Sequence, residues 1–531
     1  MAAASEGASA NLPLHAGTPE QYPRVRELFV KSGFEEAPVC SRAGVTTLYD
    51  LPAPEDRSAL KEPADAQTLF VKLFLDGEGV PWNVVHSLLS ERDIGVLVSL
   101  GLITNVVHGS DCSATVAIYP IEDLFVVGDR WQERDRAAVL AETRSISPMT
   151  RATQRILRLM PRDSCDHFLD LSTGASIAGL IAAQQFAHRV TIVTETARAR
   201  RFAEFNTSLN LLSNVRVFHA QGYEAVAAER FDVVVASPRW MPMGNSRPDA
   251  IVVDEDGERN VRAMLLGLGK HLAPGGQCFC ECLLTERREV PLEERLRSML
   301  GGSADDFDIV IAQGRALNPM QYLAEPARED GGLDPARWGQ VVERLGIQQL
   351  VFVSLLLERR ATSRPTITTR RALSPLTTGA DLQWVLRWMI GTVSWNLEDT
   401  RRLLSSRPRA LARTELRSRS KLQEGQWSVE ECQLVTLAPF AVEAACPSWY
   451  ATLLELCDGR ITAREHLQHL RETHAVPENA PEDVFATMIR QLIDAGLVEI
   501  DEFRLPDATA MRESAGVRER PTGSGPVERA D

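Results

Sequence analysis

Two rhythms of apolar and polar positions divide the chain. From Glu20 onward, apolar residues first recur at helical spacing. QTLFVKLFLDGEGVPWNVVHSLLSERDIGVLVSLGLI shows this, with short breaks at Gly77, Gly79 and Pro81. TVAIYPIEDLFVVGDRW then supplies two strand-like runs around a turn. Helices followed by a small hairpin predict a winged-helix-like unit over residues 19–144. Such a unit either binds nucleic acid or covers the domain that follows it. From residue 145 the rhythm changes. HFLDL, RVTIVTE, NVRVFHA and FDVVVASP predict strands, and SIAGLIAAQQFA, ARARRFAEFNTSLNLL and VRAMLLGLGKHL predict helices, while LAPGG turns into QCFCECLL. A βαβ series with wholly apolar strands predicts a parallel sheet buried on both faces over residues 145–360. DFDIVIAQGR and LVFVSLLLERR would close it as antiparallel strands.

Beyond the sheet the pattern becomes polar and basic. TRRLLSSRPRALARTELRSRSK, within a connecting region over 361–430, holds eight basic residues against the single acid Glu415. It reads as a solvated helix face against an acidic neighbour, or as a surface for RNA phosphates. Residues 431–505 predict three helices and a terminal strand, punctuated by Asp458-Gly459 and Gly496, in a winged-helix-like arrangement. The ends, 1–18 and 506–531, are polar and are expected to be disordered.

Composition narrows the picture. A chain of 531 residues implies three or four domains, and 44% hydrophobic with 24% charged residues is a soluble globular balance. A formal charge of -14 opposes a generally basic nucleic-acid binder, while leaving room for a local basic surface. The nine cysteines include one cluster, Cys278, Cys280 and Cys282. Alternate spacing on a strand puts all three on one face, which predicts buried thiols; zinc sites use paired CxxC ligands instead. The N-terminus has no basic start followed by an apolar stretch, and LVFVSLLL (350–357) is too short to span a bilayer. The expectation is a cytoplasmic protein with no membrane partner and no metal.

Chemistry concentrates in FLDLSTGASIAGL. A strand ending in an acid, a glycine-containing loop and a helix present a nucleoside-containing cofactor at the carboxyl end of a parallel sheet. One such loop is weak evidence; the following βα unit, then NVRVFHAQ, FDVVVASPRW and LAPGG in order, strengthen it. This order resembles class I methyltransferases of the HemK-like glutamine and RsmC/RlmG-like guanine-N2 group, whose strings run approximately DLGTGSGI, VxATDxNPxAL, EGD and NPPF or NPPY. The resemblance extends over roughly residues 20–360, and the C-terminal part separately resembles PqqD-like winged helices, which often act as peptide-recognition modules. It implies an α/β protein with a central Rossmann-like methyltransferase domain between two winged-helix-like units. It further implies S-adenosylmethionine as cofactor and a protein, peptide or small-molecule acceptor, with a guanine in RNA as an alternative.

Carried over residue by residue, Asp170 and Gly174 match the first motif, whereas Ser172 and Ser176 replace glycines. The acid expected at the ribose falls on Thr194, with Glu195 next to it. Gln221 stands where an Asp would meet the adenine amino group. In the fourth motif Ser237, Pro238 and Trp240 replace the acceptor-positioning Asn-Pro-Pro-Tyr, and Arg239 adds a cation suited to an anionic acceptor. Either the site is retuned for another acceptor or catalysis is lost and a binding scaffold remains. His219 is a further candidate general base, more often a packed or solvent-edge residue. Asp254, Glu255 and Asp256 read as charges capping a helix. P-loop, nucleophile-elbow and HExxH patterns are missing from the sequence.

Overall fold

The computed structural model describes residues 14–51, 63–105, 111–130, 146–148, 150–172, 174–240, 255–324, 335–411, 414–423 and 425–504. The expected disordered tails therefore lie outside the described residues, except for 14–18. There the chain is tied down: the His15 N–H donates to Leu100 O at 3.0 Å and the Gly17 N–H to the Tyr22 hydroxyl at 2.8 Å.

The N-terminal unit contains α1 (Gln21–Lys31), α2 (Glu36–Ala43) and α3 (Ala66–Phe70), the last running on into a π-helical turn at Val71–Leu75. Strand β1 (Val80–Pro81), α4 (Trp82–Leu88), α5 (Glu91–Ser99), β2 (Ile103–Asn105) and β3 (Asp111–Ala114) follow, with sheet order β1-β3-β2. The predicted hairpin is β4 (Ala117–Ile121) and β5 (Leu124–Gly128), turned by Glu122 and Asp123 at φ 48° and 64°. Positive φ at both turn residues gives the twist a two-residue hairpin needs. Phe29, Phe34, Phe70, Phe74 and Phe125 meet at the centre of this unit, with the Phe29 and Phe125 ring centroids 5.0 Å apart.

The central domain alternates as the pattern predicts. Its elements are α6 (Arg151–Leu159), β6 (Cys165–Ser172), α7 (Ile177–Gln185), β7 (Ala187–Thr194), α8 (Ala197–Leu209), β8 (Val215–His219) and β9 (Phe231–Ser237). Then come α9 (Arg259–His271), β10 (Leu272–Arg287), α10 (Leu292–Met299), β11 (Phe307–Leu317), α11 (Pro335–Arg344), β12 (Ile347–Arg359) and β13 (Thr368–Ala372). They form one eight-stranded sheet in the order β8-β7-β6-β9-β10-β12-β11-β13. Only β12 runs against the rest: it is antiparallel to both β10 and β11, while β13 lies parallel to β11. The expectation of two reversed closing strands is thus corrected to one. The sheet also passes residue 360, because the polar TTRRA forms its edge.

Both sheet faces are covered. One packs Leu169, Val193, Val234, Cys278, Cys280, Cys282, Val353 and Leu355 against α9 and α10. All three clustered thiols thus sit on a single face, and burial pushes those of Cys278 and Cys280 upward in pKa. The other face packs Phe168, Ile192, Phe279 and Leu356 into a core shared with both flanking regions. A side-chain ladder joins it to the N-terminal hairpin. Asn206 accepts from Val127 N at 2.8 Å and donates to Val127 O at 3.0 Å; Asn210, one turn on, does the same for Phe125 at 2.8 and 2.9 Å. Two amides at i and i+4 therefore present α8 to β5 as a neighbouring strand would.

The C-terminal region begins with α12 (Gly379–Thr392) and α13 (Leu397–Arg401), started by the capping boxes Thr378–Asp381 and Asn396–Asp399. Strand β14 (Arg409–Ala410) precedes a projecting sheet of β15 (Glu415–Gln423), β16 (Gln426–Thr436) and β17 (Val442–Cys446). Helices α14 (Trp449–Leu456), α15 (Ala463–Glu472) and α16 (Glu482–Asp494) lead to β18 (Val498–Glu499), which pairs with β14. The basic run is not the helix its charge suggested. Pro408 ends helical continuity, and the alternation from Leu416 to Leu422 suits an exposed strand. Its cations meet acids: Arg401 pairs with Asp483, and Arg419 with Glu431 at 3.3 Å. Among the described residues no helix is long and apolar enough to cross a membrane.

Candidate functional site

The loop after β6 is organised by Asp170. Its carboxylate is fully buried; Oδ1 accepts from Ser172 N at 2.7 Å and Oδ2 from Gly179 N at 2.8 Å. The second bond caps the start of α7, which its own cap residue Ser176 does not do. Burial raises the Asp170 pKa, opposed by these hydrogen bonds. Gly179 must be glycine, because a Cβ there would come within 2.9 Å of Ile192 and 3.0 Å of Asp170 Oδ2. Ser176, at φ 54°, occupies the left-handed region that favours glycine, and its buried hydroxyl has no hydrogen-bond partner among the described residues. Beside Gly174 there is open space for a Cβ.

The strand ends β6, β7 and β9 bring the predicted residues together unevenly. Ser172, Thr194, Glu195 and Arg239 line one crevice with Ile146, Thr196 and Ala199. Thr194 is buried with its hydroxyl 3.2 Å from Phe218 O, already engaged. The exposed Glu195 has no hydrogen-bond or ion-pair partner among the described residues, which leaves its carboxylate open to a ligand. The cavity is about 10 Å³, room for one water molecule. Gln221, in an exposed turn after β8, does not line it, nor does the exposed His219 at the end of β8.

Trp240 turns away into a cluster of its own. Its ring lies edge-on to Tyr322 at 4.8 Å and to Trp338 at 5.5 Å, and its indole N–H is buried without a partner. Gly257, at φ 82°, packs so closely that a Cβ would lie 2.5 Å from the indole nitrogen. Asn260 Nδ2 donates to Arg239 O at 2.9 Å. The loop before α9 therefore cradles the backbone of Arg239 and Trp240.

A buried ion network anchors that loop. Glu258 is fully buried; its Oε1 accepts from Thr285 N and Oγ1, both at 2.7 Å, and its Oε2 pairs with Arg295 and with Arg262 at 3.3 Å. Asp256 accepts from Glu258 N at 3.0 Å and pairs with Arg262 at 2.5 Å and with Arg287. The expected capping role is corrected: Asp256 precedes the N-cap Glu258 and caps no helix, its carboxylate holding Glu258 N and two arginines, while Glu255 pairs with Arg344 and Asp254 lies outside the described residues. Sequence reasoning missed Gly257, Glu258 and Asn260. The only local signal was a glycine among charges in EDGERN. Among the described residues no group of three or more His, Cys, Asp or Glu is placed to hold a metal ion.

Numbered by position, the sheet reads third, second, first, fourth, fifth, seventh, sixth strand, with the seventh reversed and one extra edge strand. Residues 145–300 match the family model described as methyltransferase small domain. The chain carries a methyltransferase small domain, similar to that of the HemK-like group. Over 123 residues it is 32% identical to a release factor glutamine methyltransferase of Xylella fastidiosa strain Temecula1, and 31% identical to that of strain 9a5c. Each alignment covers 21% of this chain and 45% of the relative, so the chain spans less than half the length of the curated relatives it matches. Among solved structures, TYW2 of M. jannaschii in complex with AdoMet aligns at 14% identity, covering 48% of this chain and 92% of that one, with a TM-score of 0.27. A methyltransferase from Pyrococcus furiosus aligns at 18% identity over 43% and 95%, with a TM-score of 0.24. At such scores it is the strand order, not the superposition, that defines the fold of the methyltransferase domain.

Proposed function

We propose that this protein is an S-adenosylmethionine-dependent methyltransferase acting on a nitrogen or oxygen of a protein, peptide or small-molecule acceptor. The observation that carries this reading is the unpartnered Glu195 carboxylate at the end of the domain's second strand, beside the crevice where such folds take their ligand. The donors present fit the cofactor. Glu195 would accept from the ribose hydroxyls, and the orphaned Ser176 hydroxyl and the start of α7 would receive the methionine carboxylate. Asp170 and Gly174 shape that loop, with Ser172 beside it and Gln221 toward the adenine. When bound, the cofactor supplies a methyl group on a positively charged sulfur.

The chain's own part is positioning. Ser237 would accept one hydrogen bond from the acceptor and Pro238 would fix the turn, which Trp240, packed against Tyr322 and Trp338, would brace. Arg239 would hold an acceptor carboxylate. The flanking regions would serve as winged-helix-like recruitment units. On the N-terminal side the order of helices and β1-β3-β2 supports this, and on the C-terminal side the three helices with β18 do. The ion pairs of the basic run favour a protein or small-molecule acceptor over RNA.

One observation favours a second reading, a binding scaffold without catalysis: a crevice of about 10 Å³ must widen before any nucleoside enters. Calorimetric titration with S-adenosylmethionine and S-adenosylhomocysteine separates the two. The enzyme reading expects micromolar binding that Glu195→Ala weakens by about tenfold or more, the worth of a hydrogen bond to a charged group. Absence of heat and of thermal shift at millimolar cofactor would leave the scaffold.

A further inference from the structure

The sheet β15-β16-β17 changes character at one level. From Gln426 to Glu430, β16 is exposed and has only β15 beside it. From Cys432 onward β17 joins on its other side, and every second residue, Cys432, Leu434 and Thr436, is buried. A two-stranded arm, with the exposed Leu422 and Trp427 paired near its tip, therefore rises from a three-stranded base. A hairpin with no third strand is marginal in water, so the arm depends on how firmly that base is held. At the level where β17 ends, Cys432 and Cys446 are direct partners across the antiparallel ladder.

Directly opposed residues of antiparallel strands project from the same face. Their Cα atoms lie about 4.5 or 5.5 Å apart, and either spacing falls inside the span that a disulfide bridges. Both thiols are free; Cys432 is buried and Cys446 half-buried, so a reagent in solution meets Cys446 first. Burial, and after it the neighbouring Cys432, hold the Cys446 thiol above its ordinary pKa. Among the described residues no other two cysteines are matched across a ladder. Cys278, Cys280 and Cys282 stand opposite Leu357, Leu355 and Val353 of β12 instead.

We propose that Cys432 and Cys446 form a reversible disulfide, made by exchange with a small disulfide of the glutathione type, that pins the root of the arm to β17. Cys446 loses its proton and attacks one sulfur of the small disulfide; a mixed disulfide forms, and the departing thiolate takes up a proton. Cys432 then loses its proton and attacks the Cys446 sulfur, expelling the second small thiol. Two protein thiols and one small disulfide thus become one protein disulfide and two small thiols, and an excess of thiol reverses the sequence. The bond joins the end of β17, just before α14, to the first buried residue of β16, so arm and helices share one fixed point. The site is separate from the strand-end crevice and does not depend on methyl transfer.

The test equilibrates the full chain with reduced and oxidised glutathione, quenches with acid and digests after glutamate, which separates residues 432–443 from 444–455. The two fragments should be recovered joined, and dithiothreitol should part them. Because the fold holds the thiols together, the equilibrium constant for closing the link should be about tenfold or more larger than for the same chain in urea. Amide hydrogens of β17 should exchange about tenfold more slowly in the linked form, an effect that Cys446→Ala abolishes. Should that variant fail to fold, the wild type before and after dithiothreitol makes the same comparison. Any of four results overturns the proposal: both thiols, or a glutathione adduct, left standing under oxidised glutathione; a link no more favoured than in urea; a bond to Cys457 or to a second chain; or β17 exchange that the link does not slow.

Discussion

The crevice at the ends of β6, β7 and β9 and the cavity beneath α6 belong to one domain but are built on opposite terms. The crevice sits where the strand order places ligands, and Glu195 and Arg239 both line it around a volume of about 10 Å³. The cavity lies between α6 and β12, with about 320 Å³ and four arginines. Topology thus says where a fold of this kind binds, whereas volume says where this chain has room to bind. The two answers coincide in an enzyme whose site stands open; here they are separated, and the crevice must move before it can be filled.

The first way to break this comparison is to remove what holds the crevice wall. Glu258→Ala strands the buried Arg295, leaves Arg262 and Arg287 to Asp256 alone, and should destabilise the protein by about 3 kcal/mol, read as a lowered urea midpoint. If the midpoint stays where it is, the network is not what anchors the Arg239–Trp240 backbone. Next, trimming the wall itself should sharpen the contrast. Arg239→Ala removes both bulk and a cation from the path of a sulfonium ligand, so S-adenosylmethionine should bind about fivefold tighter in calorimetry. Weaker cofactor binding would instead make Arg239 a cofactor contact.

The smallest effect concerns pH. Burial raises the Glu281 pKa above its ordinary value even though Arg155 pairs with it. A raised folded-state pKa means that this residue's contribution to stability is complete below about pH 4 and fades as pH climbs through the folded value. The stability margin of wild type over Glu281→Gln, from chemical melts between pH 4 and pH 8, should therefore shrink as pH rises. A margin that grows would show that attraction to Arg155 outweighs burial.

Much of the sheet was legible because β6, β7, β9, β10 and β12 are apolar runs that only a two-sided burial explains. Edge strands were not. TTRRA and ELRSRSKLQ carry charge where one side meets water, and their pairing is set by distant partners such as Ile309 and Leu434. The same division holds at the site. Asp170, Ser172 and Glu195 follow from a strand end and a loop, which local order specifies. The Glu258 network reaches 27 residues to Thr285 and 37 to Arg295, and no spacing rule connects them. The arginines of α6 look in sequence like any solvated helix face. Only the gap above β12 makes them a lining.

The ladder from Asn206 and Asn210 to β5 carries its own consequence. These amides occupy backbone groups of a hairpin edge that would otherwise stand ready to recruit a strand from another molecule. They also tie together stretches of chain 79 and 85 residues apart, across the point where the hydrophobic rhythm changes. Cutting there would expose both partners at once, leaving a sticky hairpin on one piece and two desolvated amides on the other. The seam visible in the sequence is a seam in composition, and the hydrogen bonds of the folded protein run across it.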